Sequence, residues 1–406
     1  MRLLHTSDWH LGQYFYGKSR ADEHNAFIDW LLAQIKAHQI DAVIVAGDLF
    51  DTGTPPSYAR HIYNRLVTAM SQLDCQLVLL GGNHDSVAML NESKSLLAEL
   101  GTHLTANASD NIEQQLLELT DASGNAIGIV CAIPYLRPRD IQHSIAEQSA
   151  SEKQQQLQQA IASHYQGLYD AALALKGDRS LPIIATGHLT TVGASSSESV
   201  RDLYIGTLDA FPASAFPPAD YIALGHIHRS QVIGGNEHIR YSGSPIPLSF
   251  DELGKAKQVQ LVEFCGQRVR QITPLEVPRF QQMALLKGDL SEVEQQLQQF
   301  ADNDQITWLD IEISSESYLS DLQGRVTALC EGLPVEPLLV RRQKSQQRDS
   351  LSAERDNETL SELSVDDVFS RRLDQEQFDG DEGAARKLRL QQHFSATVAQ
   401  LQEHNQ

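Results

Sequence analysis

Cysteine is scarce and scattered. Cys75, Cys131, Cys265 and Cys330 are the four thiols in 406 residues, and none forms a CxxC pair. That excludes a disulfide framework and a thiolate zinc site, and it fits reduced, mostly buried thiols. Positive charge is also short. The 32 Lys and Arg stand against 53 Asp and Glu, for a formal net charge of −21, which argues against wrapping nucleic acid on a uniformly basic surface. Much of the acid is local, because residues 351–382 hold eleven Asp or Glu against three Arg. No apolar run approaches the length of a membrane span. Met1-Arg2-Leu3-Leu4-His5 leads into a strand pattern with no apolar signal region, so a cytoplasmic location away from membranes is expected. No GxxxxGK[ST] loop occurs, so no nucleotide is expected on this chain. With 41% hydrophobic residues the chain reads as globular, and its length predicts two or three units.

What is present is one sentence repeated five times: apolar strand, turn, then Asp, Asn or His. The organising copy is Ala42-Val43-Ile44-Val45-Ala46-Gly47-Asp48-Leu49-Phe50-Asp51. Its short β-branched run reads as a buried strand, and Gly47 lets the backbone turn so that Asp48 sits at the strand's carboxyl end. The others are Leu3-Leu4-His5-Thr6-Ser7-Asp8-Trp9-His10, Leu77 to Asp85, Ile183 to His188 and Tyr221 to His228. Strand carboxyl ends are where α/β sheets build their sites, so five strand ends of one sheet are expected to deliver ligands to one rim. A single Asp or His after a strand is usually a turn former or helix cap. Five in the same pattern point to a dinuclear metal centre.

Carboxylates, imidazoles and one carboxamide without thiolate favour manganese, with magnesium, iron or zinc as alternatives. Asp8 and His10, two apart, can both face the site from an irregular turn. Asp48 is the natural bridge, since a carboxylate can hold two ions about 3.5–4 Å apart. His226 and His228 can then divide between the ions. His84 follows Asn83 and remains free to stabilise a transition state or protonate a departing alkoxide. Asp51 is expected to orient His84 and, by its charge, to keep it a proton donor. Asp85 reads as a carboxylate behind the ligands or a cap. His5, His24, His38, His61, His103, His143, His164 and His238 read as ordinary histidines. Arg137, Arg139, Arg201 and Arg229 could touch phosphates or simply be solvated, and are left outside the site.

Along the chain, helical spacing predicts helices over Asp22–His38, Ser57–Leu73 and Ala146–Leu175. The alternation of strand and helix predicts a largely parallel sheet, with antiparallel strands near 239–273 completing the stack. The expected organisation is residues 1–275 as the main domain, 280–341 as a βαβαβ cap, 342–356 as a linker and 357–406 as a helical tail. The tail's two short amphipathic stripes, around Leu360–Leu373 and Leu390–Leu401, cannot close a core alone and must pack on the body or a partner.

The series DxH, GDxxD, GNH followed by an acid, GH and GHxH resembles the calcineurin-like metallophosphoesterase set. More narrowly, Thr6 to Gly12, Gly47 to Thr52, Gly81 to Ser86, Gly187 to Gly193, Gly225 to His228, Pro134 to Arg139 and Gly243 to Phe250 resemble the SbcD family of bacterial repair-nuclease subunits. The resemblance covers effectively the whole chain. It implies an α/β fold, a β-sandwich flanked by helices, with a small cap and a C-terminal helical pair. It implies a double-strand DNA exonuclease and single-strand or hairpin endonuclease using two divalent ions, manganese foremost and magnesium as the alternative. Asp8, His10, Asp48 and His228 would hold one ion, and Asp48, Asn83, His188 and His226 the other, with His84 catalytic. The implied partners are DNA and the SbcC ATPase, which would receive the tail. A homodimer within a heterotetramer and a nucleoid-associated setting are implied as well.

Two rivals remain. A phosphomonoesterase or nucleotide phosphodiesterase could use the same scaffold, although Thr52 stands where protein phosphatases commonly carry arginine. A non-catalytic scaffold for DNA ends or SbcC is the other, and the complete ligand set with His84 speaks against it.

Overall fold

The computed structural model describes residues 1–109, 111–141, 149–197, 199–200, 210–314 and 321–343, and from the C-terminal stretch Phe369, Arg372, Leu373, Phe378, Gly383 and 386–394. The expected linker and most of the expected tail, Arg201 and His143 lie outside the described residues. Two units result, Met1–Phe280 and Gln281–Phe394.

The first unit opens with β1 (Arg2–Thr6), a small hairpin of β2 (Tyr14–Phe15) and β3 (Lys18–Ser19), and α1 (Ala21–His38). Then come β4 (Ala42–Val45), α2 (Ser57–Met70), β5 (Gln76–Leu80), the short helices α3 (Val87–Glu92) and α4 (Lys94–Glu99), and β6 (Thr102–Thr105). There follow β7 (Leu116–Thr120), β8 (Ala126–Cys131), the one-turn α5 (Pro138–Ile141), α6 (Ala150–Lys176), β9 (Ile183–His188) and β10 (Tyr221–Gly225). β11 (Gln231–Ile233), β12 (Asn236–Tyr241), β13 (Gln258–Cys265) and β14 (Arg268–Glu276) complete the unit.

These strands form two six-stranded sheets, not one. The first has the order β14-β13-β1-β4-β5-β6 and the second β11-β12-β10-β9-β8-β7. In the first, β1, β4, β5 and β6 run parallel, with Val43 paired to Leu4 and to Leu77. In the second, β8, β9, β10 and β12 run parallel. The hairpin β13–β14 joins the first sheet antiparallel to β1, whereas β12 enters the second parallel to β10.

The period-2 alternation of side chains explains why two sheets stack. Leu3, Ile44, Val78 and Leu80 point inward from the first sheet and meet Val130, Ile184, Tyr221 and Ala223 of the second. Their alternates Leu4, Val43, Val45, Leu77 and Leu79 pack outward against α1 and α2 through Phe27, Leu31, Ile62 and Leu66. On the far side Ile129, Ile183, Ala185 and Ile222 pack against Leu157, Ile161, Tyr165 and Leu168 of α6. Strands buried on both faces read as continuous apolar runs, as these do. Each such aliphatic side chain contributes about 1.5–3 kcal/mol when fully buried. The result is the sandwich flanked by helices that was expected.

α6 starts at Ala150 rather than Ala146, because Ser149 forms a capping box with Glu152. There the Ser149 N–H donates to the Glu152 carboxylate at 2.9 Å, and the Ser149 hydroxyl accepts from the Glu152 N–H at 3.4 Å. Residues 142–148 lie outside the described residues.

The second unit is βαβαβ: β15 (Met283–Gly288), α7 (Leu290–Leu297), β16 (Thr307–Ile313), α8 (Leu322–Cys330) and β17 (Val335–Arg342). Its three strands are parallel in the order β15-β16-β17. Leu309, Ile311 and Ile313 pack against Val293, Leu297 and Val326 of the helices. Asp289 caps α7 through a second capping box with Glu292. Residues 386–394 are helical, and the rings of Phe369 and Phe394 stack 3.9 Å apart and 4° from parallel.

Candidate metal centre

Every expected ligand sits at the carboxyl end of a parallel strand, but the strands belong to both sheets. Asp8 and His10 follow β1, Asp48 follows β4, and Asn83 follows β5 in the first sheet. His188 ends β9, and His226 and His228 follow β10 in the second. Cross-sandwich pairing is set by contacts remote in sequence, so the short motifs could not separate one sheet from two.

The loops after β1 and β4 are laced together. Asp8 N–H donates to Gly47 O at 3.0 Å, His10 N–H to Asp48 O at 3.1 Å and Leu11 N–H to Leu49 O at 2.9 Å. Among the described residues seven non-glycines have positive φ, and four of them are expected ligands: Asp8 (55°), His10 (46°), Asp48 (50°) and His226 (93°). Such conformations cost about 1–3 kcal/mol each and persist where the surroundings over-determine them.

Ligand atoms converge in three overlapping groups, Asp8/His10/His228, His10/Asp48/His84 and Asp8/Asp48/His188, each with its atoms within 4.8 Å of one another. Asp48 Oδ2 lies 3.2 Å from His188 Nε2 and 3.5 Å from His10 Nε2. The Asn83 side-chain oxygen lies 2.8 Å from the same His188 Nε2. The His226 ring stands 5.4 Å from that of His188, so it joins the group. All these side chains except Asn83 are buried.

Three of the four ligand histidines engage an outer partner through Nδ1. His10 Nδ1 meets Asp51 Oδ1 at 3.0 Å, His188 Nδ1 donates to Ala46 O at 2.9 Å, and His228 Nδ1 meets Ser199 Oγ at 2.7 Å. This leaves Nε2 as the ligand atom in each. His10 Nε2 and His226 Nε2 are buried with no hydrogen-bond partner among the described residues. Unpartnered buried nitrogens are expensive unless something else occupies their lone pairs. Carboxylate oxygens, an amide oxygen and aimed Nε2 atoms fit divalent cations.

The electrostatics agree. Burial works to raise the Asp48 carboxyl, but His188, His84 and His10 outweigh it and hold it well below the usual range. Burial works to lower His188, but Asp48 lifts it to about 9. His10 is likewise raised, its burial outweighed by Asp51, Asp48 and Asp8. Burial and the neighbouring His188 keep His226 neutral, with its pKa well below the ordinary value.

One expectation needs correction. The Asp51 carboxylate contacts His10, while His84 Nδ1 donates to the main-chain oxygen of Asp51 at 2.7 Å. Asp51 therefore positions His84 through its backbone and a ligand through its charge. The His84 ring lies edge-on to His10, with centroids 4.6 Å apart. The main-chain N–H of His84 donates to Asp48 Oδ1 at 2.9 Å.

Asp85 accepts from the N–H groups of Leu49, Phe50 and Gly82 at 3.1, 2.9 and 2.8 Å, tying the loops after β4 and β5 together. Burial, with Asp48 nearby, pushes its carboxyl up to about 6. Arg137 grips the same loop by donating to the carbonyls of Gly82 at 3.3 Å and Asp85 at 3.1 Å. Arg229 pairs with Asp251 at 2.9 Å. The residues missed altogether are Ser199, Ser244, Glu252 and Lys257. Ser244 lies in the segment Gly243 to Phe250, which was singled out only by resemblance, and the other three lie outside every motif.

A sandwich of two mixed sheets with an all-nitrogen-and-oxygen cluster at the strand ends defines a metallophosphoesterase. The family model described as calcineurin-like phosphoesterase matches residues 1–230, and a second, SbcD_C, described as type 5 capsule protein repressor C-terminal domain, matches residues 279–377. The SbcD subunit of the nuclease SbcCD from Escherichia coli K12 is 57% identical over 403 residues, covering 99% of this chain and 98% of that protein. Its counterpart in Rhodobacter capsulatus is 35% identical over 68% of this chain and 70% of its own length. The Bacillus subtilis protein of the same name is 31% identical over 79% of this chain and 81% of its own. The chain belongs to the calcineurin-like phosphoesterase family, in the group of SbcD nuclease subunits. The family implies divalent metal ions. No helix among the described residues is long and apolar enough to cross a membrane.

Proposed function

We propose that this chain is the nuclease subunit of a DNA-repair complex, hydrolysing phosphodiesters at a centre that holds two divalent ions, manganese foremost. Asp8, His10, Asp48 and His228 would hold one ion, and Asp48, Asn83, His188 and His226 the other. Bound there, the ions would polarise the phosphoryl oxygens and lower the pKa of a water for in-line attack. Asp48 is held ionised and keeps the two halves in register. His84 has its Nδ1–H committed to Asp51 O, so its Nε2 is the atom that carries a proton to the leaving oxygen. The observation that carries the reading is the pair of buried, unpartnered Nε2 atoms of His10 and His226 beside the Asp48 carboxylate.

The substrate, DNA, and the partner, SbcC, come to this chain from its relatives' name. The finer proposals are a double-strand exonuclease and hairpin endonuclease, a homodimer within a heterotetramer with the ATPase, and a cytoplasmic, nucleoid-associated setting. Residues 280–341 would act as the cap, 342–356 as the linker and 357–406 as the SbcC-binding tail. The decisive comparison is between nicking of a DNA hairpin and hydrolysis of a small aryl phosphate monoester in manganese. Hairpin nicking that His84→Ala lowers by about 10²–10⁴-fold is expected. Faster turnover of the monoester, or full nicking by His84→Ala, would refute it.

A further inference from the structure

Behind the ligand His228 lies a buried ion pair that the phosphoesterase motifs do not include. Glu252 is 3% exposed, and its carboxylate is 2.5 Å from Lys257 Nζ. Burying a carboxylate with an ammonium is costly unless its remaining lone pairs are satisfied. Here they are. Oε1 accepts from the Ser197 hydroxyl at 2.7 Å and the Ser199 hydroxyl at 2.6 Å, and Oε2 accepts from Leu248 N–H at 2.9 Å. A carboxylate saturated with donors in a closed loop is rigid, and rigid groups make good templates.

The direction of the bonds settles the tautomer of His228. An ionised carboxylate only accepts, so the Ser199 hydroxyl gives its single proton to Glu252. The Ser199 oxygen must then accept from His228 Nδ1, 2.7 Å away, and that nitrogen carries the proton. Nε2 is left with its lone pair. Lys257 holds the same residue by its backbone, donating to His228 O at 3.0 Å while bonded to Ser244 Oγ at 2.7 Å. Ring and main chain of one ligand are thus fixed by one ion pair.

We propose that Glu252, acting through the Ser199 hydroxyl, is a positioning residue that sets the tautomer and aim of His228 for one of two metal ions. This rests on the two-ion reading above. A mere structural tie between the loop carrying Glu252 and Lys257 and the segment after β10 would stabilise the fold without discriminating between the ions. The relay acts on one ion alone.

The test is the manganese-binding isotherm of the full chain for Ser199→Ala, Ser199→Thr, Glu252→Gln and His228→Ala, with the melting temperature of each metal-free variant. Ser199→Ala leaves the Glu252–Lys257 pair intact, so it carries the weight if Glu252→Gln fails to fold. Ser199→Ala should weaken one ion by about 10–100-fold and leave the other and the metal-free melting temperature unchanged, and Ser199→Thr should restore the loss. Wild-type affinity for both ions in Ser199→Ala, equal weakening of both, or a Ser199→Thr no better than Ser199→Ala would each overturn the relay. If in those cases His228→Ala still loses one ion, the two-ion centre stands and only the relay fails. If His228→Ala also binds both ions as the wild type does, the reading of the centre fails with it.

Discussion

His188 Nδ1 donates to the main-chain oxygen of Ala46 across 2.9 Å and 142 residues of sequence. A ligand carried by the second sheet is thereby aimed by a residue at the end of β4 in the first. The two halves of the candidate centre are consequently one object. Whatever disturbs the β4 exit disturbs a histidine on the other sheet.

Gly47→Ala tests that coupling. A Cβ at Gly47 would stand 2.3 Å from His188 Nδ1, at a backbone φ of +90°. The substituted chain must either push the imidazole off Ala46 or leave a strained conformation worth about 1–3 kcal/mol. Loss of high-affinity manganese binding together with a lower melting temperature is expected from titration and thermal unfolding. Wild-type behaviour in both would show that the approach is not tight.

Asp51→Asn separates the two roles of Asp51. Because the carboxylate contacts His10 and only the main chain reaches His84, the substitution should weaken metal binding by about 10–100-fold. The bond from His84 to the Asp51 carbonyl should survive. Measured by calorimetric titration, unchanged metal affinity with only a displaced pH–rate profile would restore the role first expected for Asp51.

The sequence carried this site well where its information is local. Apolar strand, turn and ligand fit within about ten residues, and all seven expected ligands do meet. What it could not carry is non-local. Asp51 and His84 are neighbours only after β4 and β5 pair, so whether charge or backbone joins them depends on a loop geometry set by Asp85. Glu252 and Lys257 fall in a stretch with neither helical nor strand period, and nothing in their spacing points toward His228. The division into two sheets depends on which apolar face meets which, and Val43 and Ile44 read alike in a buried strand.

Acid should destabilise the chain through His5. Its Nε2–H donates to Leu224 O at 3.2 Å and its Nδ1 accepts from the Tyr221 hydroxyl at 2.9 Å, joining the two sheets with a neutral ring. Burial lowers its pKa from 6.5 to about 3. Below 6.5 the unfolded chain takes up a proton that the folded chain refuses until about 3. Stability is therefore full above that window and is lost as the pH falls through it, by at most about 1.4 kcal/mol for each tenfold rise in proton concentration. His24, depressed to about 3 by burial and by Arg20, adds to the same slope. Urea unfolding of the metal-free chain at about pH 7 and about pH 5 should show the loss, and His5→Gln should flatten it. An unchanged slope in the variant would assign the loss elsewhere.

Removing residues 350–406 should abolish co-purification with SbcC and leave manganese binding and weak intrinsic cleavage in place. The amphipathic stripes of that stretch motivate the expectation. Undiminished co-purification would move the partner surface to another part of the chain.

The central claim is that Asp48 is shared by two cations. Electron paramagnetic resonance during a manganese titration tests it most directly, because two ions joined by one carboxylate couple magnetically. The account predicts two ions per chain at saturation with a coupled spectrum, and loss of the coupled signal in Asp48→Asn. A single bound ion at saturation, or two ions without coupling, would contradict it.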